Sequence, residues 1–91
     1  MAGEYFVRCD SLAWQELNNE VLILANEQGQ VHELNEVAAT IWKRLAAPST
    51  RDDILDAILD EYDADPDEVR VDIQSTLRDW QNMALVKRVN P

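Results

Sequence analysis

The chain is poor in the residues from which most enzyme chemistry starts. Its 91 residues include one histidine, one cysteine and two glycines. A protein metal site needs several His, Cys or carboxylate ligands at set spacings, and a phosphate cradle needs a glycine-rich loop; neither pattern occurs. Nucleophile and general acid/base arrangements are equally missing, so the expectation is a non-catalytic binding module without a cofactor. Cys9 has no second cysteine to pair with, so nothing points to an oxidising compartment and the cytoplasm is the expected location. No apolar run approaches the roughly 20 residues of a membrane span. The opening MAGEYFVRCD also lacks the basic and apolar regions of a signal peptide.

Basic residues are scarce as well. Eighteen acidic residues stand against eight Lys and Arg, a formal charge of −10. Nucleic-acid binding depends on neutralising phosphates with cations, and anionic membranes attract basic segments, so neither partner is expected. The imbalance is local: between Arg51 and Asp72 ten acids face only Arg51 and Arg70, a net of −8. Such a stretch is either a solvated helical face or a docking surface for a basic partner.

What remains is ordinary globular material, 46% hydrophobic and 29% charged, in a length that suits one small core. Leu12 to Leu17, then Asn18-Asn19, then Glu20 to Ala25 reads as a hairpin, because paired Asn residues tolerate the positive φ of a two-residue turn. A turn at Asn26 to Gly29 leads to a short polar third strand, Gln30 to Leu34. Leu22, Ile23 and Leu24 do not alternate, which predicts a central second strand covered on both faces; the third strand is then an exposed edge.

The period then changes to 3.6. Asn35 caps a helix whose Val37, Ala38, Ile41, Trp42 and Leu45 share one face and which ends near Ala47-Pro48. Thr50 with Asp53 resembles a capping box ahead of Ile54, Leu55, Ile58, Leu59 and Tyr62. Asp65, Pro66 and Glu68 mark a third start, followed by Val69, Ile73, Thr76, Leu77, Trp80 and Ala84 on one side. Leu85-Val86 adds a short strand or packs the end down. Three strands and then three helices predict an α+β fold, a winged helix-turn-helix with a three-stranded antiparallel meander.

Two motifs imitate chemistry. Asp10-Ser11-Leu12 matches a carrier-protein serine, but a full helix should precede that serine and only nine residues precede Asp10. Asp63, Asp65 and Asp67 alternate like a calcium loop, yet Glu68 stands where the loop needs Gly and Gln74 where it needs Glu. Chance and turn chemistry account better for the first, and helix capping for the second.

The segment VHELNEVAATIW (Val31 to Trp42) carries the most specific pattern, with Thr50 to Ile54, Glu61-Tyr62-Asp63 and Asp65-Pro66 through Val69 behind it. It resembles the PqqD-like family, whose domains are also called recognition elements for ribosomally made, post-translationally modified peptides. The likeness runs from about Leu12 to Val86, which places the domain at 12–88, an N-terminal extension at 1–11 and a tail at 89–91. One departure is that Trp80 and Met83-Ala84 occupy a stretch where the family usually has a Leu-rich turn with Gly before Leu-Val.

The resemblance implies a winged helix-turn-helix that binds the leader segment of a precursor peptide. It presents the precursor to a modifying enzyme such as a radical S-adenosylmethionine protein, a cyclodehydratase or a leader protease. The leader is then expected as an added strand on Gln30, Val31, His32 and Glu33, with pockets toward the third helix formed by Val31, Val69, Ile73 and Thr76 and with Asp72 as a polar rim group placed to meet a basic leader residue. Ordinary core is the other reading of Val69 and Ile73. The competing functional readings are a winged-helix transcription regulator, which needs a basic recognition helix, and a general acidic interaction domain.

Overall fold

Asn18 and Asn19 reverse the chain with φ of 54° and 67°, the paired positive values of a type I′ hairpin turn. In the computed structural model, which describes residues 3–24 and 29–89, this turn joins two strands of an α+β fold. The elements are β1 (Tyr5–Arg8), β2 (Ala13–Leu17), β3 (Glu20–Leu24), β4 (Val31–Leu34), α1 (Glu36–Arg44), α2 (Arg51–Glu61), α3 (Pro66–Asn82) and β5 (Val86–Val89). Strands β2, β3 and β4 form one antiparallel sheet in that order, so β3 is central and β4 is an edge. Most of the turn expected at Asn26 to Gly29 lies outside the described residues; Gly29 has φ of 78°, which glycine adopts without steric cost.

The register corrects the expectation that β3 is covered on both faces. Val21 lies opposite Leu34 and Ile23 opposite His32, while Leu22 faces Glu33 and Leu24 faces Val31. Val21 and Ile23 are fully buried, whereas Leu24 is 47% exposed. The reason lies in the helices: α1 packs on β3 and β4, α2 on α1 and α3 on α2, which leaves the outer sheet face without a helix among the described residues.

Residues 5–8, expected within an extension, are built into the fold. Strand β1 pairs antiparallel with β5, Tyr5 opposite Val89. The Phe6 N–H donates to the Ser49 carbonyl (2.8 Å), the Ser49 N–H donates back (2.9 Å), and the Phe6 ring is buried. A four-residue strand whose partner sits at the other end of the chain leaves no local periodicity to detect.

Helix α1 carries the centre of the core. Trp42 is fully buried, with Trp14 of β2 and Trp80 of α3 edge-on to it at centroid distances of 6.2 and 5.9 Å. The Arg8 guanidinium lies 4.6 Å from the Trp14 ring centre, a cation over a π face. Lys43 donates to Glu16 (2.8 Å), which ties α1 to β2 and raises the Lys43 pKa above its ordinary value. Ile41 and Leu45 join the core as expected, but Val37 is 38% exposed.

The helix starts follow the caps. Asn35 Oδ1 accepts from the Ala38 N–H, and Thr50 and Asp53 form a reciprocal capping box: Asp53 N–H to Thr50 Oγ1 at 3.1 Å, Thr50 N–H to Asp53 Oδ2 at 3.0 Å. At α3 the bond runs from the Asp67 N–H to Asp65 Oδ1, and the expected return bond from Glu68 is not part of the cap. The hydrogen bond from the Thr50 backbone holds the Asp53 carboxyl below its ordinary pKa. A folded pKa below the unfolded one contributes stability above the ordinary carboxylate range and loses it as pH falls through the folded value. Thr50→Ala removes the Oγ1 acceptor of the Asp53 N–H and keeps the Thr50 N–H that holds the Asp53 carboxylate; it should cost about 1 kcal/mol in urea titrations at neutral pH, the loss typical of a helix cap.

Helix α3 ends in a Schellman turn: the Leu85 N–H donates to Trp80 O (2.9 Å) and the Ala84 N–H to Gln81 O (3.1 Å). Ala84 takes φ of 59°, the left-handed conformation glycine adopts more easily, at the stretch where the chain departs from the family pattern. Ala84→Gly should stabilise the protein by roughly 0.5–1 kcal/mol, read as a melting temperature several degrees higher.

Candidate peptide-binding edge and groove

The turn length determines which backbone groups of β4 face outward. In a two-residue hairpin the flanking residues, here Leu17 and Glu20, exchange both hydrogen bonds, and such pairs alternate along the ladder with non-bonded ones. Glu20, Leu22 and Leu24 therefore turn their backbone groups toward β2, and Val21 and Ile23 turn theirs toward β4. Across that second ladder their partners are Leu34 and His32. The N–H and C=O of Val31 and Glu33 consequently point away from β3, on the side of β4 with which no strand pairs among the described residues.

A groove of about 470 Å³ begins where β4 ends, since Asn35 lines it. Its α1 wall is Val37, Ala38 and Ile41, and its α3 wall is Asp72, Ser75, Thr76 and Asp79. The apolar wall explains why Val37 is half out of the core. Among the described residues neither Asp72 nor Asp79 has a side-chain hydrogen bond or ion pair, and the nearby Arg70 is bound to Asp52 at 3.2 Å. No Lys or Arg lines the groove.

Of the residues expected to bind, Val31, His32 and Glu33 form the edge strand and Gln30 directly precedes it. Val31 is 57% exposed and faces the outer side of the sheet with Leu24, so it is not part of a pocket toward α3. His32 shares the inner face with the buried Ile23. Thr76 and Asp72 do line the groove. Val69 and Ile73 are buried in the core, one turn apart on the α3 stripe that continues to Leu77 and Trp80. The α1 contribution, together with Ser75 and Asp79, is absent from the sequence reading. A Val and Ala just after an N-cap carry the same apolar signal whether they meet a core or a groove.

An open strand edge beside a half-apolar groove is the geometry for receiving an extended peptide. The family model for coenzyme PQQ synthesis protein D (PqqD) matches residues 20–86, which contain β3, β4 and all three helices. The chain belongs to the PqqD family. No curated protein sequence matches this PqqD-family chain. It is similar to a solved structure, TbiB1 in complex with the TbiA(beta) leader peptide, with a TM-score of 0.79 and 27% identity over 93% of this chain and 99% of that one. The β4 edge of the PqqD-family chain, with which no strand pairs among the described residues, thus belongs to a fold that, in TbiB1, has been seen with a leader peptide.

Among the described residues of the PqqD-family chain, no three His, Cys, Asp or Glu side chains are grouped to hold a metal ion. None of its described helices is long and apolar enough to cross a membrane.

Proposed function

We propose that this protein is a non-catalytic adaptor in the cytoplasm. It captures the leader of a ribosomally made precursor peptide by strand addition to β4 and presents the precursor to a maturation enzyme. The observation that carries this reading is the pair of outward-facing backbone positions, Val31 and Glu33, on an edge strand that ends where Asn35 begins the α1/α3 groove. Backbone bonds give the affinity, and the side chains that fall into the groove select the sequence. The likeness to TbiB1, which holds a leader, supports the same reading. The three helices after the hairpin are read as a winged helix-turn-helix turned to peptide binding. Its α3 carries Asp67, Glu68, Asp72 and Asp79 against Arg70 and Arg78, a net negative helix and a poor surface for phosphates. Binding raises the effective concentration of the precursor core at an enzyme such as a radical S-adenosylmethionine protein, a cyclodehydratase or a leader protease, into the millimolar range for a short linker.

The test is calorimetric titration with the leader and core halves of a short precursor peptide, sought among the reading frames that neighbour the gene. The leader half should bind one to one with micromolar or tighter affinity, and the core half should give no heat. Equal binding of both halves, or of neither, contradicts the proposal.

A further inference from the structure

Resting on the leader-binding reading, we propose that the segment received by the groove is basic. It carries a Lys or Arg whose cationic end reaches Asp72 and Asp79, next to an apolar side chain seated against Val37 and Ile41. The two aspartates stand seven residues apart on α3, two helical turns, so they share a face and lie about 10 Å apart along the axis. Ser75 and Thr76 fill the interval with small side chains. A long cation laid over them lies within reach of both carboxylates.

Binding changes the surroundings of these carboxylates. In the free protein both are hydrated and stable without a partner. A strand laid along β4 and into the groove strips part of that hydration, which is costly for an unpaired charge. An acidic segment adds repulsion, and a purely apolar one leaves both charges stranded. A cationic side chain compensates them, and no Lys or Arg of the protein lines the groove to do so. Discrimination therefore comes as much from penalising wrong segments as from attracting the right one. Charge elsewhere on the surface is partly spoken for, Asp52 by Arg70 and Glu4 by Arg51 and Arg88. Asp72 also borders a second depression with Asp67, Glu68 and the 64% exposed Val71. The mixture of apolar and acidic surface therefore continues along α3.

Selection from a random dodecapeptide library tests this, using the native protein and the doubly neutralised D72N/D79N form, whose folding is checked by circular dichroism. The native protein should enrich peptides with Lys or Arg at one fixed offset from an apolar residue. The neutralised form should keep the apolar preference and lose the basic one. A selected peptide should bind the neutralised form about three- to tenfold more weakly, and replacing its basic residue by Met should remove most of that difference. Absence of basic enrichment, or identical selections by both proteins, overturns the proposal. The underlying reading is scored separately with Glu33→Pro. If that variant loses the selected peptides while no basic preference appears, only the charge proposal fails; if it binds them undiminished, strand addition itself fails.

Discussion

Proline at Val31 or Glu33 is expected to weaken leader binding by roughly tenfold to a hundredfold while leaving the protein folded. Both residues turn their N–H away from β3, so proline removes a donor that no internal bond uses. Its ring then stands where the incoming strand must lie. Each backbone bond is worth only about 0.5–1.5 kcal/mol net, but an obstructing ring prevents two or three of them and disturbs the register. His32→Pro is the contrasting case, because the His32 N–H belongs to the ladder with Ile23 and its loss should lower stability. His32→Ala keeps the backbone donor and should bind nearly as well as the parent. Titration calorimetry with the leader, alongside urea melts, separates the two effects.

The largest loss of stability is expected from Trp42→Ala. The indole is fully buried, touched edge-on by Trp14 and Trp80, and its removal opens a large void where α1 meets β2 and α3. Truncating a buried Trp typically costs about 3–5 kcal/mol, a large part of the roughly 5–14 kcal/mol available to a domain of this size. The melting temperature should fall by more than about 15 °C. Trp42→Phe should cost only about 1–2 kcal/mol, because Trp42 Nε1 has no hydrogen-bond partner among the described residues and nothing polar is lost. Chemical denaturation of both variants checks the difference. A Phe variant as unstable as the Ala one would mean that the indole N–H makes a stabilising interaction after all.

Features encoded over a few residues were legible in the sequence. Asn18-Asn19 specifies its hairpin because both residues tolerate positive φ, and Asp65-Pro66 and Thr50 with Asp53 open helices because orphan amides need acceptors. The edge position of β4 was legible too, from its shortness and polarity. The β1/β5 pair was not, because its partners lie at opposite ends of the chain. Periodicity also reports that a face is apolar without naming what covers it. Val37 lies on the same apolar stripe as core residues yet lines the groove, Val69 and Ile73 lie on the buried stripe of α3, and Leu24, in an unbroken apolar run, has no cover on the outer sheet face among the described residues. The outward-facing positions of β4 needed the register, which depends on counting from the Asn18-Asn19 turn.

That count leads to the most direct test, amide hydrogen exchange followed residue by residue along β4 by NMR, with and without leader. In the free protein His32 and Leu34 should exchange slowly, being bonded to β3, and Val31 and Glu33 should exchange fast. Leader at saturating concentration should slow Val31 and Glu33 by at least tenfold and change His32 and Leu34 far less. Saturating leader that leaves Val31 and Glu33 in fast exchange, with protection appearing only on the helices, would contradict strand addition and place the peptide elsewhere on the protein.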